Sequence, residues 1–235
     1  RAVEDCLRRL RTDYIDLYQL HWPDRSTNRF GVRNFQLGED EGATPIHETL
    51  QALDGLVRAG KIRHVGLSNE SAWGVMTFLR AAEMHGLTRA VSIQNAYNLL
   101  NRSFEGDLAE VALREQIGLL AYSPLGGGTL TGKYLDGQLP PGTRRAMDSR
   151  KSRYDRRNTD PATRGYLEVA KRHGLDPAQM AIAFTLTRPF VTATIIGATS
   201  MEHLRTNIDA AELKLSPEVM DEIEAVNEAY PDPCP

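Results

Sequence analysis

Cysteines, a basic surplus and long apolar runs are all missing or scarce in this sequence. The only cysteines, Cys6 and Cys234, lie near opposite ends of the 235 residues, which disfavours a disulfide framework. The net charge of −3 disfavours nucleic acid as a partner, and no apolar run approaches the roughly 18 residues of a membrane helix. We therefore expect a cytoplasmic protein that binds small molecules rather than nucleic acid or a membrane.

A start signal is also missing from the N-terminal residues. Arg1 leads directly into the amphipathic pattern of Val3, Cys6, Leu7 and Leu10, with no methionine, signal peptide or capping residue before it. We expect the chain to begin inside a helix and to be N-terminally truncated.

Helical patterns alternate with short, continuous apolar runs along the chain. Such runs are typical of parallel strands that helices cover on both faces, so the pattern predicts an α/β fold. Because 41% of the residues are hydrophobic, we expect a single domain over residues 1–235. The five predicted strands are residues 14–20, 62–67, 90–93, 119–122 and 192–196.

Helix and loop signals fill the gaps between these runs. Thr44 and Pro45 predict the cap and first turn of a helix. Residues 126–160 are rich in glycine, proline and arginine and too long for a plain connection, so they predict a functional or mobile segment. Ser216 begins a closing helix over residues 216–230, which we expect to act as a cap.

Five strands fit two parallel architectures. A doubly wound open sheet needs a glycine-rich nucleotide turn directly after its first strand, and residues 21–24 do not supply one. A closed barrel takes eight strands and typically about 250 residues. The sequence therefore predicts a (β/α)8 TIM barrel, of which this chain holds only about five strand-helix units.

Polar side chains follow the predicted strands, where the active sites of parallel α/β proteins lie. A nicotinamide carboxamide offers one acceptor and two donor hydrogens, which Ser68, Asn69 and Gln94 can match. Tyr122 can stack on the ring, and a neutral His21 can donate a hydrogen bond to a carbonyl oxygen that gains charge. These residues predict hydride transfer from a bound nicotinamide cofactor.

A phosphate site is predicted after the last strand, where residues 197–200 lead into a helix whose first turn carries His203. Exposed amides at a helix N-terminus bind anions, and the nearby hydroxyls and imidazole add polar contacts. Lys133 and Arg144 of the long segment can close over the rest of the phosphates. This would explain the length of that segment.

Each of these residues also has a plainer interpretation. A lone histidine at a strand end is more often structural than catalytic. Ser68 and Asn69 can cap a helix, Gln94 can satisfy backbone groups, and the arginines of residues 144–157 can form a solvated loop. The remaining histidines show no metal-ligand spacing, so we expect no metal site; they are His47, His64, His85 and His173.

Five segments resemble the aldo/keto reductases, in the family's order and across nearly the whole chain. They are LRTDYIDLYQLHWPD at 10–24, GKIRHVGLSN at 60–69, SIQNAYN at 92–98, AYSPLGGGTLTGKY at 121–134 and IIGATSMEHLRTNI at 195–208. HWPDRSTNRFG at 21–31 and NLLNRSFE at 98–105 are most similar to the bacterial Tas-like branch.

The resemblance implies a (β/α)8 barrel that binds NADP(H) without a Rossmann fold and reduces aldehydes or ketones. By the same resemblance His21 is the catalytic histidine, and Tyr122 stacks on the nicotinamide. Ser68, Asn69 and Gln94 hold the carboxamide. The further cofactor contacts that it implies are Ser123, Pro124, Leu125, Gly127, Lys133, Arg144, Gly197, Thr199, His203 and Asn207.

This sequence departs from the family pattern in two ways. His203 stands where relatives often have arginine or glutamine, which weakens the expected preference for NADP over NAD. The aspartate, tyrosine and lysine of the family's catalytic tetrad lie upstream of the histidine and so before Arg1, and Tyr14 and Tyr18 do not match the motif of the acid. We expect residues 1–235 alone to contact cofactor without turnover.

Two rival functions stay open at this point. A reductase-like nucleotide sensor or channel-associated subunit would use the same residues for interaction rather than chemistry. An unrelated barrel with a phosphate at its last strands would explain Thr199 and Ser200. It would not explain Ser68, Asn69 and Gln94 together.

Overall fold

The computed structural model describes residues 1–28, 32, 34–40, 42–148 and 152–235. Five strands lie in that part of the chain, and they form one sheet whose strand order follows the sequence. The predicted α/β class is therefore confirmed. The strands are β1 (Ile15–Leu20), β2 (Ile62–Ser68), β3 (Ala90–Ala96), β4 (Gly118–Tyr122) and β5 (Val191–Ile195).

Helices separate the strands, and two more helices follow β5. None of those in the described residues is long and apolar enough to cross a membrane. They are α1 (Ala2–Leu10), α2 (Ile46–Arg58), α3 (Ala72–His85), α4 (Asp107–Arg114), α5 (Arg144–Met147), α6 (Thr159–Arg172), α7 (Pro177–Leu186), α8 (Met201–Asp209) and α9 (Pro217–Ala229).

Each predicted strand overlaps an observed one, with one boundary that changes an interpretation. β3 runs to Ala96, three residues beyond the predicted end, so Gln94 and Asn95 lie inside the strand rather than after it. Both side chains have polar partners, since Gln94 Nε2 donates to Gln19 Oε1 at 3.2 Å and Asn95 Nδ2 donates to the Glu70 backbone oxygen at 3.0 Å. The predicted end of this strand at residue 93 is therefore wrong.

The described residues divide into two compact units. Unit 1 consists of the described residues within 1–29, 34–95 and 107–119, and unit 2 consists of the described residues within 30–33, 96–106 and 120–235. The assignment of residues 1–235 to a single domain stays a prediction.

Parallel pairing aligns the strands of unit 1. β1 and β2 pair from Ile15 opposite Ile62 to Leu20 opposite Leu67. β2 and β3 pair so that Ser68 lies opposite Gln94. Because parallel strands all run in one direction, the residues that follow β1 and β2 emerge at the same edge as Gln94.

Apolar faces of α1 and α2 close one side of this sheet. Val3 and Leu7 of α1 pack with Leu53 of α2 and with Ile62 and Val65 of β2, and all five side chains are buried. Val3 and Leu7 are four residues apart, which is the spacing of residues on one face of a helix. This core holds the strands whose ends carry the candidate site.

The start of α2 differs from its prediction. Pro45 occupies the cap position with an extended ψ of 140°, and no side chain caps the helix. Thr44 instead donates its backbone N–H to Asp24 Oδ2 at 3.0 Å. The predicted Thr44 cap is wrong because its backbone is engaged by the preceding loop.

The closing helix is confirmed in position. Ser216 caps α9, since its Oγ accepts a hydrogen bond from the Val219 N–H at 3.4 Å, and Pro217 is the first helical residue. The helix ends at Ala229, one residue before the predicted end at 230. It packs against α6, where the hydrogen of Gly165 allows close approach of Val226.

Unit 2 has an aromatic core. The Tyr97 ring stacks with Phe184 at 6.0 Å and meets Phe190 edge-on at 5.4 Å, and Phe104 lies 5.4 Å from Phe190. Aromatic pairs at such distances add stability beyond the burial of their area. The cluster fixes the chain directly after β3.

The long segment of residues 126–160 is partly ordered into short helices. Turns of 3-10 helix cover Gly126–Thr131 and Leu135–Gly137, followed by the four residues of α5. Residues 149–151 lie outside the described residues. α6, which starts at Thr159, was not predicted from the sequence.

Candidate active site

The ends of three neighbouring strands bring the first group of predicted site residues together in unit 1. Leu20 and Leu67 are paired near the ends of β1 and β2, and Ser68 pairs with Gln94 of β3. His21 follows β1 directly. The four predicted residues of this unit therefore share one edge of the sheet.

Asn69 connects two of these strand ends through its side chain. Its Nδ2 donates to the backbone oxygen of His21 at 2.8 Å and to Ser68 Oγ at 3.2 Å. Its backbone is in the left-handed region with φ of 54°, which asparagine tolerates better than most residues. Asparagine therefore suits both the conformation and the contacts at this position.

Ser68 connects β2 to β3. Its buried Oγ donates to the Gln94 backbone oxygen at 2.7 Å, and the Asn69 backbone N–H donates to the same oxygen at 3.1 Å. The helix that follows is capped by Ser71, whose Oγ accepts from the Gly74 N–H at 3.2 Å. The interpretation of Ser68 and Asn69 as helix caps is therefore wrong, because both lie ahead of the cap position.

Gln94 belongs to a small polar cluster on the sheet. Its Nε2 donates to Gln19 Oε1 of β1 at 3.2 Å. The plainer interpretation is that the Gln94 amide satisfies backbone groups, whereas this hydrogen bond is to a side chain. A Cβ on Gly66 between the two glutamines would lie 2.7 Å from Ser92 Oγ and 2.9 Å from Gln19 Cγ. Glycine at this position lets Gln19, Ser92 and Gln94 share one face.

The His21 side chain is exposed at the end of β1. Its ring lies 5.8 Å from the ring of Trp22, and the structure gives its imidazole no hydrogen bond to the described residues. An exposed ring with both nitrogens unengaged can donate to or accept from a ligand. Among the described residues, no three histidine, cysteine or acidic side chains are grouped to hold a metal ion.

A buried ion pair that sequence reasoning missed fixes the loop after His21. Arg25 donates to both carboxylate oxygens of Glu70, at 2.9 and 2.5 Å, and to Ser71 Oγ at 3.0 Å. Its guanidinium also lies 4.8 Å from the centre of the Trp73 ring. The partners are 45 residues apart and follow no local pattern, so no sequence signal points to them.

Tyr122 ends β4 in unit 2, beside an arginine that the sequence analysis did not single out. Arg153 lies 5.5 Å from the ring centre and donates to the Tyr122 hydroxyl at 3.3 Å. Burial raises the pKa of the Tyr122 phenol above its usual value, so the phenol stays protonated at neutral pH. The Tyr122 ring is half-buried, and Arg153 contacts both its face and its hydroxyl.

The residues after β4 form a tight turn. Ser123 has a left-handed φ of 57°, which is uncommon for serine, and Gly127 has φ of 64°. Pro124 is buried, and Leu125 is half-buried. Ser123, Pro124, Leu125 and Gly127, the predicted cofactor contacts of this stretch, therefore all lie on one turn.

The predicted phosphate residues come together at the start of α8. Ser200 Oγ caps the helix by accepting from the His203 N–H at 3.1 Å, and Thr199 Oγ1 lies 3.4 Å from His203 Nδ1. The buried Asn207 side chain donates to the Gly197 oxygen at 3.1 Å. Asn207 thus folds the strand end onto the helix, and the exposed side chains lie at its N-terminus.

The two cations predicted from the long segment are both exposed. Lys133 Nζ lies 5.4 Å from the centre of the Tyr134 ring, and Arg144 starts α5. Neither has a polar contact with the other predicted site residues in the described part of the chain. The neighbouring Arg145 turns inwards instead and donates to Thr129 Oγ1 at 2.9 Å, so these arginines are not uniformly solvated.

Known proteins are similar to this chain over most of its length. The model of the aldo/keto reductase family matches residues 1–228. Protein tas of Escherichia coli (strain K12) is 53% identical over 234 residues, which are 100% of this chain and 68% of that protein. A probable voltage-gated potassium channel subunit beta of Oryza sativa subsp. japonica is 31% identical over 236 residues, which cover 98% of this chain and 67% of that protein.

A solved structure supports the same relationship. A thermostable aldo-keto reductase in complex with the inhibitor epalrestat matches with a TM-score of 0.68 and 30% identity. The match covers 96% of this chain and 65% of that one. The predicted barrel type, with five strands in the described residues, and the likeness to the Tas-like branch are both confirmed.

Proposed function

Because the chain belongs to the aldo/keto reductase family, we propose that it is part of a cytoplasmic, NADP(H)-dependent enzyme that transfers hydride between nicotinamide and an aldehyde or ketone. The observation that carries the proposal is the cluster of His21, Ser68, Asn69 and Gln94 at one edge of the sheet, where Ser68 pairs with Gln94. Polar groups at this edge of a parallel sheet are where α/β barrels carry out chemistry.

The residues of the cluster fit a nicotinamide carboxamide. Gln19 Nε2 is buried and has no hydrogen-bond partner among the described residues, and neither has Ser92 Oγ on the same face. An unpaired buried donor costs about 1–3 kcal/mol, so a polar ligand group at this face would relieve it. Gln94, which shares a hydrogen bond with Gln19, is the residue of this face that we assign to the carboxamide.

His21 has the properties needed beside a substrate carbonyl. Its exposed imidazole can donate a hydrogen bond to the carbonyl oxygen as that oxygen gains negative charge, while the bound cofactor supplies the hydride. Asn69 donates to the His21 backbone oxygen, so the residue that carries the imidazole is tied to the neighbouring strand end.

The proposed contacts of unit 2 are to the rest of the dinucleotide. Tyr122 offers an uncharged phenol ring for stacking, and the turn of Ser123, Pro124, Leu125 and Gly127 offers backbone groups. The start of α8 offers amides and the side chains of Thr199 and His203, which suit a phosphate. We assign the exposed cations Lys133 and Arg144 to the phosphates as well.

The proposal is tested on the protein as its gene encodes it. Oxidation of NADPH is followed with a panel of aldehydes and ketones for the wild type and for His21→Ala. We expect His21→Ala to lower kcat/KM by roughly 100-fold or more, with little change in nucleotide affinity, because it removes a hydrogen-bond donor from the reacting oxygen. His85→Ala, an exposed histidine at the end of α3, is the matched control.

Two outcomes would overturn the enzyme assignment. Absence of NADPH oxidation with every carbonyl compound tested would contradict it, as would equal loss of activity in His21→Ala and His85→Ala. Tight NADP(H) binding without turnover, together with a co-purifying protein, would favour a binding subunit. Similarity to a channel subunit of Oryza sativa is the observation that favours this second candidate.

A further inference from the structure

Asn98, two residues after β3, uses its whole side-chain amide inside unit 2. The residue is fully buried. Its Oδ1 accepts from the Leu100 backbone N–H at 2.9 Å, and its Nδ2 donates to the Ser123 oxygen and to the Tyr154 hydroxyl, both at 3.0 Å. One side chain therefore joins three stretches of chain that are far apart in sequence.

The backbone around Asn98 is fixed independently of that amide. Asn98 and Asn101 exchange reciprocal backbone hydrogen bonds of 3.0 and 2.9 Å, which close a tight turn. The C-terminal residues hold this turn from another side, because Cys234 donates its backbone N–H to the Leu100 oxygen at 2.9 Å. The amide of Asn98 is thus presented from a rigid support.

The first target of the amide is the turn that follows β4. Ser123 adopts a left-handed backbone, which is unfavourable for a non-glycine residue and persists only where the surroundings enforce it. Its oxygen accepts from the Gly126 N–H at 2.8 Å as well as from Asn98. The two donors together hold the backbone of Ser123 in this conformation.

The second target is the far end of the long segment. The buried Tyr154 ring lies against the glycines of the turn, since a Cβ on Gly126 would be 3.5 Å and one on Gly127 3.7 Å from its ring carbons. Tyr154 also accepts a hydrogen bond at its backbone oxygen from Arg145 Nη2, at 3.3 Å. The Asn98 side chain therefore connects Ser123, at the start of the turn, to Tyr154, near the end of the long segment.

We propose that Asn98 is a positioning residue for nucleotide binding: its amide sets the backbone of Ser123–Gly127 and fastens Tyr154 over it. This rests on the proposed function, in which that turn contacts the cofactor. Asn98 is fully buried and reaches the site only through Ser123 and Tyr154. Its loss weakens nucleotide affinity and leaves the hydride step at saturating cofactor nearly unchanged.

The test compares Asn98→Ala with Asn101→Ala in the protein as encoded. Asn101 is also buried and lies in the same turn, but its Oδ1 accepts from the N–H and hydroxyl of Ser103 instead. We expect Asn98→Ala to raise the Kd for NADPH about 10-fold with kcat changed less than about threefold, since a lost buried hydrogen bond has that effect. Asn101→Ala should leave the Kd within about twofold.

A second variant and a second measurement cover the case in which Asn98→Ala does not fold. Tyr154→Phe keeps the ring over the glycines and removes only the hydroxyl, so we expect a smaller rise in Kd, about threefold. Limited proteolysis after Arg145 and Arg153 without nucleotide should be faster in Asn98→Ala and Tyr154→Phe than in the wild type.

The outcomes separate this proposal from the proposed function. If the wild type binds no NADPH, the proposed function fails, whereas the proteolysis still shows whether Asn98 fastens the loop. If the wild type binds and Asn98→Ala changes the Kd no more than Asn101→Ala does, the positioning role is contradicted. Unchanged proteolysis of Tyr154→Phe and Asn98→Ala would contradict it as well.

Discussion

The side-chain amide of Asn69 donates to the backbone oxygen of His21 at 2.8 Å, across two neighbouring strand ends. Asn69 is assigned to the cofactor, and it also fixes the backbone of His21, the proposed catalytic residue, at the end of β1. The Asn69 backbone is left-handed, with φ of 54°, while its side chain makes the hydrogen bond to His21. Substitutions can therefore separate the effect of the backbone conformation on stability from the effect of the side chain on activity.

Asn69→Gly and Asn69→Ala form the first prediction. Both remove the amide, so both should lower kcat/KM to a similar extent. Alanine must also adopt the left-handed backbone, so Asn69→Ala should be less stable than Asn69→Gly by about 1 kcal/mol, measured by urea unfolding. Equal stability of the two variants would show that the left-handed conformation of Asn69 is not enforced.

The second prediction concerns the ion pair of Arg25 and Glu70, whose side chains are 12% and 3% exposed. Arg25→Met leaves the Glu70 carboxylate buried without its partner, and we expect a loss of about 3 kcal/mol in the free energy of unfolding. Arg25→Met with Glu70→Gln removes both charges and should be more stable than Arg25→Met alone. If the double variant is the less stable one, the buried charge is not the cause of the loss.

Strand positions and the polar residues at their ends could be predicted because both leave local signals. A continuous apolar run identifies a buried parallel strand, and parallel strands present the following residues at one edge. His21, Ser68 and Asn69 were found in this way. Gln94 was predicted because it follows the apolar residues 90–93, although β3 continues past it to Ala96.

Features that depend on long-range packing could not be predicted. α6 begins with the polar, proline- and glycine-containing stretch of residues 159–165, which is typical of a loop. Only the fold shows why Gly165 lies in this helix, since a Cβ there would be 2.9 Å from Val226 of α9. In the same way Arg25 and Glu70 are identified as partners only by their proximity in space.

Asp232 provides the third prediction, because its Oδ1 accepts from the Arg102 backbone N–H at 2.7 Å. Asp232→Ala leaves that buried N–H without this acceptor and places alanine at a left-handed φ of 40°, so we expect it to cost about 2 kcal/mol in urea unfolding. Asp232→Asn keeps an oxygen in the same place and should lie within about 0.5 kcal/mol of the wild type. A similar loss in both variants would assign the effect to the charge of Asp232 rather than to the hydrogen bond.

Glu224 gives the fourth prediction, which concerns pH. Burial alone would raise the pKa of its carboxyl, but hydrogen bonds from Arg102 and Arg188 outweigh burial and hold the pKa below its usual value. A carboxyl with a lowered pKa in the folded state stabilises the fold above its unfolded pKa of about 4.3. That contribution is lost as the pH falls through the folded pKa.

Glu224→Gln should therefore be less stable than the wild type at pH 7, and the difference should shrink as the pH is lowered below about 4. Urea unfolding across this range measures it. Glu228→Gln, an exposed position on the same helix, should show a smaller difference at every pH. A difference between Glu224→Gln and the wild type that does not depend on pH would mean that the charge of Glu224 does not contribute.

His203→Arg gives the fifth prediction, which addresses the choice between NADP and NAD. His203 lies in the first turn of α8, beside Thr199 and the capping Ser200, where an anion would meet the helix N-terminus. Arginine carries a permanent charge and can bind a phosphate with two parallel hydrogen bonds, which histidine cannot. We therefore expect His203→Arg to raise the ratio of kcat/KM for NADPH to that for NADH by about 10-fold, the effect of one charge-assisted contact.

Met201→Arg places the same charge two residues earlier on the exposed start of the helix and should change the ratio less. Since charge alone would affect both variants similarly, only a larger effect at position 203 supports a 2'-phosphate at this helix end.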